Sequence, residues 1–327
     1  MTSQNTTARP HPGSLAQAKQ RRLPSWYWRV PWTRVFTHLG ALFFAIFILA
    51  PFSWLVITSF MTEADAISVP PQWIPERPTL QNYQAYLFPE ALTGSNLTSS
   101  GGMNKGVYIG QGAVKDSPKA LLNSTIIAFT VAMLNMTIGG MGAYAFARLR
   151  FRGKGPLVIF YLGSRMVPAI AIMIPLYILI KGYGLLDSKM ALIIAYTTFT
   201  IPFSIWILAS YFQSIPMDLE DAAKVDRCNW LQMMWRVFLP VAAPGLVAVA
   251  MMSFLSSWGE FLFALLFTST INSKTIPVMI AQLVTDVDTS PVLMTTGGVL
   301  AVIPPLILAL IFQRMIISGI TVGAVKG

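Results

Sequence analysis

The chain has 327 residues, 54% hydrophobic and 11% charged, with a formal net charge of +10 and a mean hydropathy of +0.60. Soluble domains carry about 25% charged residues, so this composition excludes an ordinary soluble globule and indicates a polytopic membrane protein. The positive charge does not point to nucleic acid, because the basic residues stand at the ends of apolar stretches, where membrane topology accounts for them.

Residues 1–30 are polar and basic, with Arg9, Lys19, Arg21, Arg22 and Arg29, and read as a largely disordered cytoplasmic tail. The apolar run that follows exceeds the roughly 7–15 residues of a signal-peptide core, so residues 31–60 read as an uncleaved first span. A spanning helix needs about 20 mainly apolar residues. Six stretches qualify: 35–60, 120–147, 156–180, 190–212, 241–267 and 292–312. Four contain no Asp, Glu, Lys or Arg, the third contains Arg165 and the fifth Glu260.

Short loops rich in Lys and Arg stay inside. The loop after the second span, "RLRFRGKG", carries Arg148, Arg150, Arg152 and Lys154 and reads as cytoplasmic. Loops after the third and fifth spans hold few bases and read as external. Both termini are therefore expected in the cytoplasm, with 318–327 as a short C-terminal tail. Residues 61–119 form a long external segment, Pro-rich and then Gly/Ser-rich, read either as a surface loop or as a docking surface. Residues 120–317 make a five-helix core. Small residues in the second span (Ser124, Ala128, Ala132, Gly139, Ala143, Ala147) predict close helix packing.

Chemistry-bearing motifs are missing. "GGMNKG" has glycines but lacks the Lys-Ser/Thr of a phosphate loop. The histidines are His11 and His38, and no cluster has metal-ligand spacing. Cys228 is the single cysteine, which rules out an internal disulfide. Catalysis by this chain is not expected, so uphill transport would draw on ion coupling or on another subunit.

One segment stands apart from the apolar background. From Asp218 to Pro240 the chain carries four acids and three bases on a helical pattern, inside the 214–240 loop between the fourth and fifth spans. Leu219, Ala222, Ala223, Trp230, Met233, Met234 and Val237 share one side. Asp218 is placed to cap the helix, and Glu220 and Lys224 form an i,i+4 pair. An apolar side resting in lipid headgroups is one reading. The acids favour a protein partner, because cytoplasmic leaflets are anionic.

"DAAKVDR" followed by "VFLPVAAPGLVAV" resembles the EAA loop of membrane subunits of ATP-binding cassette importers. Asp221, Ala222, Ala223 and Asp226 match by position, with Asp for the usual Glu, and Leu239-Pro240 closes the pattern. "MVPAIAIMIPLYILIKGYGLLDS", "SFLSSWGEFLFAL" and the terminal "GAVKG" resemble the carbohydrate-uptake, maltose-permease-like branch.

The resemblance implies an all-α type I permease fold of six transmembrane helices in a bacterial inner membrane. It implies a second permease subunit, two ATPase subunits and a periplasmic or lipid-anchored solute-binding protein. ATP and magnesium would bind the ATPase and no cofactor this chain. Asp218, Glu220, Asp221, Ala222, Ala223, Asp226, Arg227 and Trp230 would then seat on the ATPase. The motif's glycine position holds Arg227. Either the turn there does not need positive φ, or Arg227 itself contacts the ATPase or the membrane.

Charges inside spans mark pathways or partners. Arg165 and Glu260 are expected beside the translocation path, either paired or each bound separately to other groups. Trp258, Gly259, Phe261 and Phe263 surround Glu260, and the rings of Trp258, Phe261 and Phe263 suit either sugar stacking or packing. An ion-coupled transporter working alone, with Glu260 as proton carrier, is the alternative function.

Overall fold

The computed structural model describes residues 32–89, 114–283 and 290–324, with only the backbone described at 230, 231 and 316–324. The basic segment 1–30, much of the Gly/Ser-rich stretch and the last three residues lie outside the described residues. The regular elements among the described residues are all helices, with no strand. The helices are α1 Trp32–Ser59, α2 Glu63–Ala66, α3 Gln81–Leu87, α4 Ser117–Arg148, α5 Lys154–Ser164 and α6 Ala169–Gly182. There follow α7 Lys189–Ser214, α8 Asp218–Val225, α9 Trp230–Met233, α10 Met234–Trp258, α11 Leu262–Phe267, α12 Ile276–Ala281 and α13 Pro291–Ala324.

The chain divides into two units, one ending at Ser53 and the other beginning at Trp54. In the first, α1 is apolar on every side and its Phe36, Phe43 and Phe47 are exposed, as suits a helix whose solvent is lipid.

In the second, α4, α7, α10 and α13 are each long and apolar enough to cross a membrane. Small residues let the backbones approach. Ala128, Ala132 and Ala143 of α4 are buried, and a Cβ on Gly139 would lie 3.3 Å from Ser204 Cβ of α7. A Cβ on Gly245 of α10 would stand 2.7–2.9 Å from the Tyr211 ring, so that crossing requires glycine. The packing expected of the small-residue ridge is found. At Asn135–Gly139 the α4 ladder widens into one π-helical turn. There Asn135, fully buried, donates from Nδ2 to Thr200 Oγ1 at 2.6 Å.

Two expected spans are broken. Residues 156–180 were expected as one helix, but α5 and α6 meet at 96°. Pro168 has no amide hydrogen and holds an extended backbone (ψ 135°), so the helical ladder stops before it. Residues 241–267 were likewise expected as one helix, but α10 ends at Trp258 and α11 begins at Leu262. Gly259 and Glu260 therefore occupy a junction and not a mid-helix position.

Part of the long segment after α1 is ordered on the core. Tyr86 of α3 is buried with Val114, Ala120, Ile276, Met279 and Leu293, and its hydroxyl donates to the Leu293 carbonyl at 2.8 Å.

Candidate functional site

The charged segment folds as two short helices joined by a tight turn. Helix α8 ends in a Schellman motif: the Cys228 amide donates to the Ala223 carbonyl and the Arg227 amide to the Lys224 carbonyl, both at 3.0 Å. That motif places its pivot residue in the left-handed region, and Arg227 has φ +56°. The turn at the motif's glycine position therefore does require positive φ. Helix α9 starts with a reciprocal capping box. The Gln232 amide donates to Asn229 Oδ1 at 2.8 Å, and the Asn229 amide to Gln232 Oε1 at 3.0 Å.

Arg148, the last residue of α4, ties this unit to the bundle. Its Nε lies 2.5 Å from Glu220 Oε1 as an ion pair off the N–H direction, with both side chains buried. Its Nη2 donates to the Ile215 carbonyl at 2.7 Å, and its guanidinium lies 5.4 Å from the Phe238 ring centre at the start of α10. One side chain thus links α4, the α7–α8 connection, α8 and α10.

Several expectations are corrected. Glu220 turns inward to Arg148, so Lys224 pairs instead with Asp221, at 2.9 Å on the surface. Asp218 does not cap; Met217 occupies the cap position without a side-chain bond, and Asp218 opens the first turn with Glu220 and Asp221. These acids still sit favourably at the positive end of the helix. Ala223 is buried in the chain's own core, leaving Ala222 exposed beside exposed Asp218, Asp221, Asp226 and Arg227. The Trp230 side chain lies outside the described residues.

Arg165 and Glu260 share a cavity of about 410 Å³ at the two broken spans. Ser164, Tyr196, Phe199, Thr200, Ser256, Ser257 and Phe263 help line it. The two charges do not pair; each binds backbone. Arg165 Nη1 donates to the Phe199 carbonyl at 2.7 Å, and its guanidinium lies 5.2 Å from the Phe203 ring centre. Glu260 accepts the Phe263 amide at 3.0 Å on one oxygen and the Ala264 amide at 3.2 Å on the other. It thereby satisfies orphan amides at the start of α11. Trp258 turns away: its indole donates to the Ala301 carbonyl of α13 at 2.9 Å and its ring stacks on Phe254. Phe261 packs beside the apolar cluster around Phe263 and Phe267. Neither they nor Gly259 line the cavity. The hydroxyls of α7 and α10 that do line it carry no sequence signal, since Ser and Thr are common in spans.

Asp187, between α6 and α7, holds the turn after α11 and was not singled out by sequence. Its carboxylate accepts the Ser269 and Thr270 amides (3.0 and 2.9 Å) and the Thr270 and Ser273 hydroxyls (2.6 and 2.5 Å). Burial alone would raise its pKa, but these hydrogen bonds outweigh burial and hold it well below the usual carboxylate range. Asn123 of α4 donates to the Ile271 and Lys274 carbonyls of the same turn.

Residues 135–322 match the family of binding-protein-dependent transport system inner membrane components, a region that includes both the Arg148-anchored helix pair and the Arg165–Glu260 cavity. The chain belongs to this family. It is a permease of the importer type. It is 33% identical over 297 residues to the trehalose/maltose transport system permease protein of Thermococcus litoralis, covering 90% of this chain and 97% of the relative. It is 39% identical over 210 residues to the trehalose transport system permease protein of Mycobacterium tuberculosis, covering 64% and 77%. The fold matches that of a chain in a bacterial ABC transporter that imports the acidic polysaccharide alginate. The TM-score is 0.66 at 20% identity, over 86% of this permease and 96% of that chain.

Proposed function

We propose that this permease carries a sugar or sugar-like solute, received from an external binding protein, and that ATPase subunits drive it through α8 and α9. In this reading the α8–α9 side is cytoplasmic, as the arginine-rich 149–154 loop beside it requires. A second permease subunit completes the pathway. The observation that carries the proposal is the four-way Arg148 link. A helix pair that passes force must be exposed on one side and rigidly joined to spanning helices on the other. Asp218, Asp221 and Ala222 offer the exposed side, and Arg148 with Glu220 and Phe238 supplies the joint.

The carbohydrate class rests on the relatives, which are named as transport permeases for trehalose and maltose. The cavity suits it, with hydroxyl, aromatic and charged groups converging on one space. Alternating access would close and open this space as α8 and α9 move. The ion-coupled alternative is not favoured, since both Glu260 oxygens are engaged by backbone amides.

Co-purification tests the proposal. An ATPase subunit should come down with the permease and be lost on Asp221→Lys with Ala222→Trp, two substitutions at exposed positions. Solute uptake by proteoliposomes containing this chain alone would overturn it.

A further inference from the structure

We propose that the groove between α5 and α7 is a binding site for one anionic phospholipid from the surrounding bilayer. The groove encloses about 220 Å³. One wall is Lys154, Val158, Tyr161 and Leu162 of α5, and the other runs from Pro202 to Gln213 along α7. Both sets repeat at helical spacing, so the groove runs along the helices for about 12 Å or more by helical rise. Its floor is Phe146, whose ring meets Tyr161 edge-on.

The polarity of the groove is ordered along its length. Leu162, Val158, Ile205 and Pro202 line one end, whereas Lys154, Ser210 and Gln213 meet at the other, which forms the mouth beside the 149–154 loop. Arg150 and Arg152, both exposed, precede Lys154 on the same short loop. There is no acid anywhere between Asp116 and Asp187, nor in α7. Of the three acids of α8, Glu220 is engaged by Arg148 and Asp221 by Lys224, and Asp218 is exposed on the first turn. Among the described residues, Arg150, Arg152 and Lys154 have no ion-pair partner. Helix α5 also begins without a side-chain cap, at Gly153 with φ +88°. An apolar slot with a cationic mouth matches a phospholipid, whose acyl chain fills the slot while its phosphate meets the cations. Topology alone accounts for the loop's charges but not for a slot opening beside them.

The test uses the assembled importer in nanodiscs with photoactivatable phosphatidylglycerol or phosphatidylcholine, mapping the labelled peptides. Phosphatidylglycerol should label residues 154–162 and 202–213, about tenfold more than phosphatidylcholine. Labelling should fall by a similar factor in Lys154→Gln with Arg152→Gln, and in Ser210→Phe, an exposed position whose ring would block the mouth. Arg152→Lys with Lys154→Arg should keep it. Equal labelling by the two lipids overturns the proposal. So does full labelling in Ser210→Phe, which would mean surface adsorption, or displacement by inorganic phosphate, which would mean a site for the anion only.

Discussion

Arg148 Nε and Glu220 Oε1 stand 2.5 Å apart with side chains only 7% and 6% exposed, so an ion pair closes the joint between the bundle and its surface helices. Removing one partner of such a pair strands the other as a buried charge, at a cost of about 3–5 kcal/mol. Glu220→Ala should therefore lower the unfolding temperature of the detergent-purified protein markedly. Arg148→Met with Glu220→Leu should recover much of that stability, since an apolar pair of similar volume avoids the buried charge. The same double variant should still lose ATPase-coupled uptake if the charged joint is what passes movement on. A Glu220→Ala protein that melts like the parent would show that the pair contributes nothing.

Arg227 sits at φ +56° in the pivot of the Schellman turn. A left-handed residue with a Cβ costs roughly 1–2 kcal/mol relative to glycine, offset in part by glycine's greater unfolded-state freedom. Arg227→Gly should leave the turn as stable or more so, and Arg227→Val should destabilise it. Hydrogen exchange at the Cys228 amide, which closes the turn, reads both effects. Faster exchange in the glycine variant would mean that the arginine side chain holds the turn by contacts of its own.

Asp187 contributes stability as a carboxylate. Its pKa is held below the unfolded value, so its contribution is full above pH of about 4 and lost as pH falls below that range toward the folded value. Asp187→Ala should increase exchange at the Ser269 and Thr270 amides more than Asp187→Asn does. Asparagine tolerates the φ of +58° found here and still accepts hydrogen bonds, whereas alanine does neither well. Equal protection in both variants would assign the turn's order to Asn123 and the packing beneath it.

Glu260 and Arg165 face one cavity without pairing. Exchanging them, Arg165→Glu with Glu260→Arg, should not rescue uptake lost in the single variants, because each residue serves its own backbone groups. Glu260→Ala should also destabilise the start of α11 by about 1 kcal/mol through the two amides it uncovers. Restoration of uptake by the exchange would count against this account.

At the α7–α10 crossing, Gly245→Ala should drive a methyl against the Tyr211 ring and cost about 1–3 kcal/mol in stability. Gly245→Ala with Tyr211→Leu should recover it, which a thermal melt of the pair would read.

The six apolar stretches, the amphipathic charged segment and the small-residue packing of α4 were legible from residue order. Each rests on a local property: length, periodicity or side-chain size. The pattern also marked Arg227 as out of place and Arg165 and Glu260 as charges that demand partners. What those partners are is non-local. The Phe199 carbonyl is 34 residues from Arg165, and Glu220 reaches Arg148 across 72 residues to bond a side chain from another helix. The breaks at Pro168 and Gly259 were hidden because hydropathy averages over a window and does not register a turn inside it. Sequence by itself determined that this chain crosses a membrane and displays a charged helical segment between two spans. Only the tertiary structure decided which acid turns inward, which charges share a cavity and which residue carries the left-handed turn. Those outcomes depend on where side chains from distant helices leave room, and on which buried polar group each must satisfy.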